Sequence, residues 1–95
     1  MAEFLALVRR SPRFAESEFA PHLAPEAVRV RQLYADGVIR RIWSRLDVPG
    51  AAIVLEAESL EKIDELLDSL PLKAIGMLEI DVIPLKPYRG FAPGA

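Results

Sequence analysis

Six segments of alternating periodicity divide this 95-residue chain, and their order constrains the fold more than any single motif does. The first, Glu3 to Arg9, is a short apolar run of strand length. Next comes a helix-period segment with Pro25 in its first turn, Glu26 at the positive end of the dipole and Gly37 as its stop. Leu23, Ala27, Val30 and Tyr34 are expected on its buried stripe, with Leu33 beside it. Val38 to Leu46 and Ala51 to Leu55 read as a hairpin, turned at Val48-Pro49-Gly50-Ala51 with the type II signature.

The second helix is the clearest element. Ser59 caps it, Leu60, Ile63, Leu66, Leu67 and Leu70 form its apolar stripe, and Pro71 is expected to end it. Met77 to Leu85 alternates as a strand, and Pro84 is expected either to end it or to place it along a sheet edge. Residues 10–22 form a long connection with one helical turn around Phe14 to Phe19. Residues 86–95 are expected to be an extended tail, docked up to Phe91.

The order β-α-β-β-α-β is the ferredoxin-like α+β arrangement: one domain over residues 1–95, with two helices on one face of a four-stranded antiparallel sheet. Two helices cover only one face. The other face carries Trp43, Met77 and Ile83 among Arg41, Arg45, Glu79 and Asp81. That mixture suits neither a fully wet surface nor a dry core. It predicts two such sheets closing on each other as a dimeric α+β barrel around a partly polar cavity.

Composition removes several function classes. There is no cysteine and one histidine, so thiol catalysis and cysteine-ligated metals are excluded, and a fully protein-ligated zinc site is not expected. No metal centre is expected. The formal net charge is −2, split between an arginine-rich first half and an acidic second half. That balance argues against nucleic acid as a partner. No apolar run approaches the ~18 residues needed to cross a bilayer, and no leader pattern is evident. A cytoplasmic protein without a membrane partner is the expectation.

The residues from Gly37-Val-Ile-Arg-Arg-Ile-Trp43, through Leu66-Leu-Asp-Ser-Leu-Pro-Leu72, to Met77-Leu-Glu-Ile-Asp-Val-Ile-Pro-Leu85 resemble the muconolactone isomerase family of the dimeric α+β barrel superfamily. The likeness spans about residues 26–85. It implies a cofactor-independent proton shift in an unsaturated lactone, performed by a homodimer or larger symmetric oligomer. Where that family carries a histidine, this strand carries Arg41.

A proton shift needs a base near an acidic C–H and a group that holds the developing enolate charge. The candidate catalytic residues are His22, Glu79 and Arg41. His22 is the only side chain that ordinarily titrates near neutrality. Its other readings are a helix-end histidine or an axial ligand to haem, as in the superfamily's haem-degrading branch. Glu79 and Asp81 share a strand face and serve either as a buried base or as ion-pair partners of Arg41 or Arg45. Trp43, Arg45, Asp81 and Tyr34 are the candidate substrate-binding residues, with packing as the alternative role for Trp43 and Tyr34. Two other functions stay open: a non-enzymatic barrel that binds a small molecule or serves as an oligomeric accessory, and a cofactor-free or haem-linked monooxygenase.

Overall fold

The computed structural model describes residues 1–91 and 94. Four strands, β1 (Ala2–Arg10), β2 (Ile39–Ser44), β3 (Gly50–Ala57) and β4 (Leu78–Leu85), form one antiparallel sheet in the order β2-β3-β1-β4. The two long helices are α2 (Leu23–Ala35) and α3 (Leu60–Asp68). Two one-turn helices, α1 (Glu16–Phe19) and α4 (Pro71–Ala74), join them on the same side of the sheet. This is the ferredoxin-like arrangement expected from the segment order. No helix among the described residues is long and apolar enough to cross a membrane.

Strand alternation builds the core. Phe4, Ala6 and Val8 of β1, Ile53, Leu55 and Ala57 of β3, and Ile39 of β2 face the helices and are buried. They pack against Leu33 of α2 and against Ile63, Leu67 and Leu70. Ser59 caps α3 by accepting from Lys62 N–H at 3.2 Å. A second cluster joins Phe19, Leu72 and Met77. It pins the 11–22 connection to α4 and the start of β4.

The termination of α2 follows from Gly37. Its φ of +79° lets Gly37 N–H reach Tyr34 O and Val38 N–H reach Leu33 O, closing the helix with a Schellman motif. The chain then turns directly into β2.

Several expectations differ from the structure in ways that have local causes. Pro71 does not end α3, which stops at Asp68 with Ser69 as its cap; Pro71 instead opens α4, where its missing N–H costs nothing. Met77 is not on the open sheet face but precedes β4 and is 4% exposed in the second cluster. Gly50 does not adopt the left-handed conformation that a type II turn requires. It begins β3, where the close approach of β1 leaves no room for a side chain: a Cβ there would lie 2.0 Å from Val8 O. Leu23 and Tyr34 do not lie buried on α2, at 43% and 61% exposure.

The expected tail over residues 86–95 falls partly outside the described residues, at 92, 93 and 95. Within it, Arg89–Phe91 forms a 3-10 turn. Tyr88 and Phe91 pack edge to face with centroids 4.9 Å apart, yet both remain exposed rather than docked on the domain.

Candidate functional site

A β-bulge decides which β2 residues reach which side of the sheet. Ile39 pairs with Leu55, and Arg41, not Arg40, pairs with Val54. One residue is therefore added between them. Ile39 and Ile42 both point toward the helices, while Arg41 and Trp43 both point to the open face.

On the open face the residues form rows across the sheet. Trp43, Ala52, Leu7 and Asp81 make one row, and Arg41, Val54, Leu5 and Ile83 the next. The Arg41 guanidinium lies 5.1 Å from the centroid of the Trp43 ring. Three strand spacings, about 14 Å, separate Trp43 from Asp81. The cations of β2 therefore cannot pair with the acids of β4 within one chain. Glu79 pairs instead with Arg9 on the adjacent strand, Nε to Oε1 at 2.8 Å, with both side chains exposed. Arg45 lies in the β2–β3 turn and binds Asp47 through two hydrogen bonds, at 2.9 and 2.6 Å. That contact holds the Asp47 carboxyl down at about 2.

The helix side holds a cavity of about 190 Å³ between the sheet, α2 and the α3–α4 junction. Val8, Ile42, Ile53, Val30, Leu70 and Leu72 supply most of its apolar wall. Two charged residues share this lining, Arg10 and Glu26. Neither was among the candidates drawn from the sequence. Of those candidates, His22 is half-buried where the 3-10 turn Ala20–His22 meets α2, and Tyr34 is exposed near the other end of that helix. Arg41, Trp43, Glu79 and Asp81 lie on the opposite face of the sheet, and Arg45 is in the turn. None of these seven lines the cavity.

The phase of α2 explains Glu26. Leu23, Glu26, Val30 and Leu33 follow each other at spacings of three and four residues, so one stripe carries them all toward the sheet. An acid thus occupies an apolar stripe. Glu26 Oε1 accepts from Leu72 N–H at 2.9 Å. That amide sits in the first turn of α4, where no intrahelical acceptor exists. Burial raises the Glu26 pKa above its ordinary value of 4.5, and the bond from Leu72 only partly opposes the rise. The result is a carboxyl with increased affinity for a proton, on the wall of a mainly apolar chamber. Such a group can accept a proton from carbon and release it again.

The muconolactone delta-isomerase family matches this chain over residues 4–90. Solved structures that share its fold include two enzymes. One is 5-chloro-2-hydroxyhydroquinone dehydrochlorinase from Burkholderia phenoliruptrix AC1100, in complex with 2,5-dihydroxybenzoquinone. It aligns with a TM-score of 0.76 and 18% identity, over 93% of this chain and 97% of that one. The other is muconolactone isomerase, with a TM-score of 0.76 and 20% identity, over 92% of this chain and 91% of that one. No curated protein sequence matches significantly.

Proposed function

This chain belongs to the muconolactone delta-isomerase family, and from that premise we propose that it catalyses a cofactor-independent proton shift in a small unsaturated lactone or related acid, with Glu26 as the base. The observation that carries this reading is the half-buried Glu26 carboxyl on the wall of the helix-side cavity, its proton affinity raised by burial. The cavity has the scale of a single ring, which fits the class of compound named for both structural relatives.

The chemistry runs in two balanced steps. The Glu26 carboxylate removes a proton from a carbon activated by a neighbouring carbonyl. The C–H electron pair moves into the conjugated system and leaves a dienolate. The same carboxyl then returns the proton at the far carbon of that system, so the double bond migrates and no proton is gained or lost. Leu72 N–H holds Oε1 through both steps and fixes the carboxyl plane. Leu23 and Ile42 on the cavity wall are 43% and 38% exposed, so the proton held by Glu26 exchanges with water between the two steps.

The open sheet face serves a second copy of the chain in this reading. Leu5, Leu7 and Val54 are half-buried there, and Trp43, Ile83 and Leu85 are between 41% and 46% exposed. Cationic Arg41 stands on the β2 edge, and acidic Asp81 and Glu79 on the β4 edge. A face with opposite charges at its two edges complements its own copy turned around. The sequence candidates Arg41, Trp43 and Asp81 then act in assembly and not on the ligand.

A pH profile of muconolactone turnover tests the chemistry. Activity is expected to rise along an acid limb lying above pH 4.5, the ordinary carboxyl value from which Glu26 is displaced upward. Glu26→Gln is expected to abolish it. Full activity in that variant would remove Glu26 from the mechanism. Sedimentation velocity tests the assembly: two or more copies are expected, and a monomer at micromolar concentration would contradict it.

A further inference from the structure

The connection between β1 and α2 folds around a hollow of its own. Ser11 N–H donates to Met77 O at 2.9 Å, which fixes the start of the connection against the residue before β4. Phe19 is buried and meets Phe14 edge to face, with centroids 6.4 Å apart. Phe19 also packs with Leu72 and Met77, so the aromatic pair is anchored to the domain. The Arg10 guanidinium carbon lies 4.7 Å from the centroid of the Phe19 ring. These groups, with Pro12 and Pro49, border a hollow of about 210 Å³. Of the residues around the Glu26 cavity, only Arg10 also borders this second space.

Two donors border the hollow without an acceptor. Ser11 is 3% exposed and is the one buried polar side chain among the described residues. Its Oγ accepts from Arg13 N–H at 3.4 Å, while its O–H donates to no acceptor among those residues. A buried hydroxyl with an unused donor calls for a partner. Arg10 is half-buried, and among the described residues it forms no ion pair, whereas its neighbour Arg9 binds Glu79. Stacking on Phe19 orients the guanidinium plane and leaves its donor edge open.

This donor set and the rings around it define a ligand. A guanidinium edge and a hydroxyl both donate, so they take an acceptor, and negative charge on that acceptor strengthens the bond to Arg10. Phe14 and Phe19, with the two proline rings, offer apolar surface that a planar ring covers. Glu16 shares the lining and opposes a second negative charge. We propose that this hollow is a second ligand site, separate from the Glu26 cavity, that takes a planar aromatic ring bearing one ionised oxygen group. Arg10 and Ser11 hold the oxygen, and Phe14 holds the ring. The site does not depend on Glu26 being a base.

2,4-Dinitrophenolate, ionised at neutral pH, and its uncharged methyl ether 2,4-dinitroanisole test this on the full chain, by titration followed through backbone amide shifts. The phenolate is expected to shift Ser11, Phe14 and Phe19 more than Val30 and Ile53 of the Glu26 cavity. It is expected to bind about tenfold or more tightly than the ether, the scale of one charge-assisted contact. Arg10→Gln is expected to erase that preference. Ser11→Ala and Phe14→Ala are each expected to weaken the phenolate by about threefold to tenfold, through the lost donor and the lost ring face. Glu26→Gln is expected to leave its affinity unchanged. Largest shifts at Val30 and Ile53, equal affinity for the ether, an affinity unmoved by both Ser11→Ala and Phe14→Ala, or no binding of either probe would each overturn the proposal. The titration needs no turnover, so a failure of proton transfer at Glu26 leaves its outcome readable.

Discussion

Glu26 Oε1 accepts a hydrogen bond from Leu72 N–H at 2.9 Å, across 46 positions of sequence. This bond ties the first turn of α2 to the first turn of α4 and fixes a carboxyl on the cavity wall. The folded protein therefore carries a cost for charging Glu26, and that cost has a definite sign. Its raised pKa means that the folded state holds the proton more tightly than the unfolded state. Stability should fall as pH rises from 4.5 through the raised value.

Glu26→Gln should remove that fall. The amide oxygen still accepts from Leu72 N–H, and no charge is buried. Above the titration window the variant should be more stable than the wild type in urea unfolding, with the difference closing at low pH. Glu26→Ala should instead destabilise at every pH, by about 1–3 kcal/mol, because Leu72 N–H loses its acceptor. A stability gain in Glu26→Ala would contradict the role of the bond.

The Arg45–Asp47 pair has the opposite linkage. The Asp47 carboxyl is held at about 2, below its ordinary 3.8. The stability it contributes is present above 3.8 and lost as pH falls toward 2. Asp47→Asn should flatten that acid limb. An NMR titration of Asp47 should give a midpoint close to 2, and a midpoint at the ordinary carboxylate value would dissolve the pair.

Gly50→Ala should destabilise by about 1–3 kcal/mol, the usual cost of forcing atoms into packed space. The new methyl would collide with Val8 O unless β1 and β3 separate. Unchanged thermal unfolding would show that the strands part at no cost.

Leu5→Glu should dissociate the assembly. Leu5 lies between Val54 and Ile83 on the open face, so a carboxylate there would be buried against a second copy. The variant should sediment as a monomer while Leu5→Val remains assembled. An unchanged sedimentation coefficient for Leu5→Glu would place the interface elsewhere.

The segment order was legible because α3 and the strands announce themselves locally. Ser59, the leucine stripe and the β4 alternation each carry their own signal. The side of the sheet holding the candidate site was not legible, for three physical reasons. The bulge between Ile39 and Arg41 resets the strand phase, so simple alternation put Ile39 and Ile42 on opposite faces where the structure turns both toward the helices. The apolar bodies of Ala27 and Tyr34 suggested a stripe one residue out of phase with the real one, which left Glu26 only the role of an acid at the helix dipole. Its spacing of four to Val30 and seven to Leu33 was the available signal. Arg10, read as the end of a strand, continues the buried row Phe4, Ala6, Val8, and that alternation could have found it.

The most direct measurement is proton NMR of muconolactone in D₂O with wild-type protein and with Glu26→Gln. The account predicts deuterium incorporation at the carbon next to the carbonyl with the wild type, and none above the protein-free rate with Glu26→Gln. Exchange that persists undiminished in Glu26→Gln, or no exchange with either protein, would contradict it.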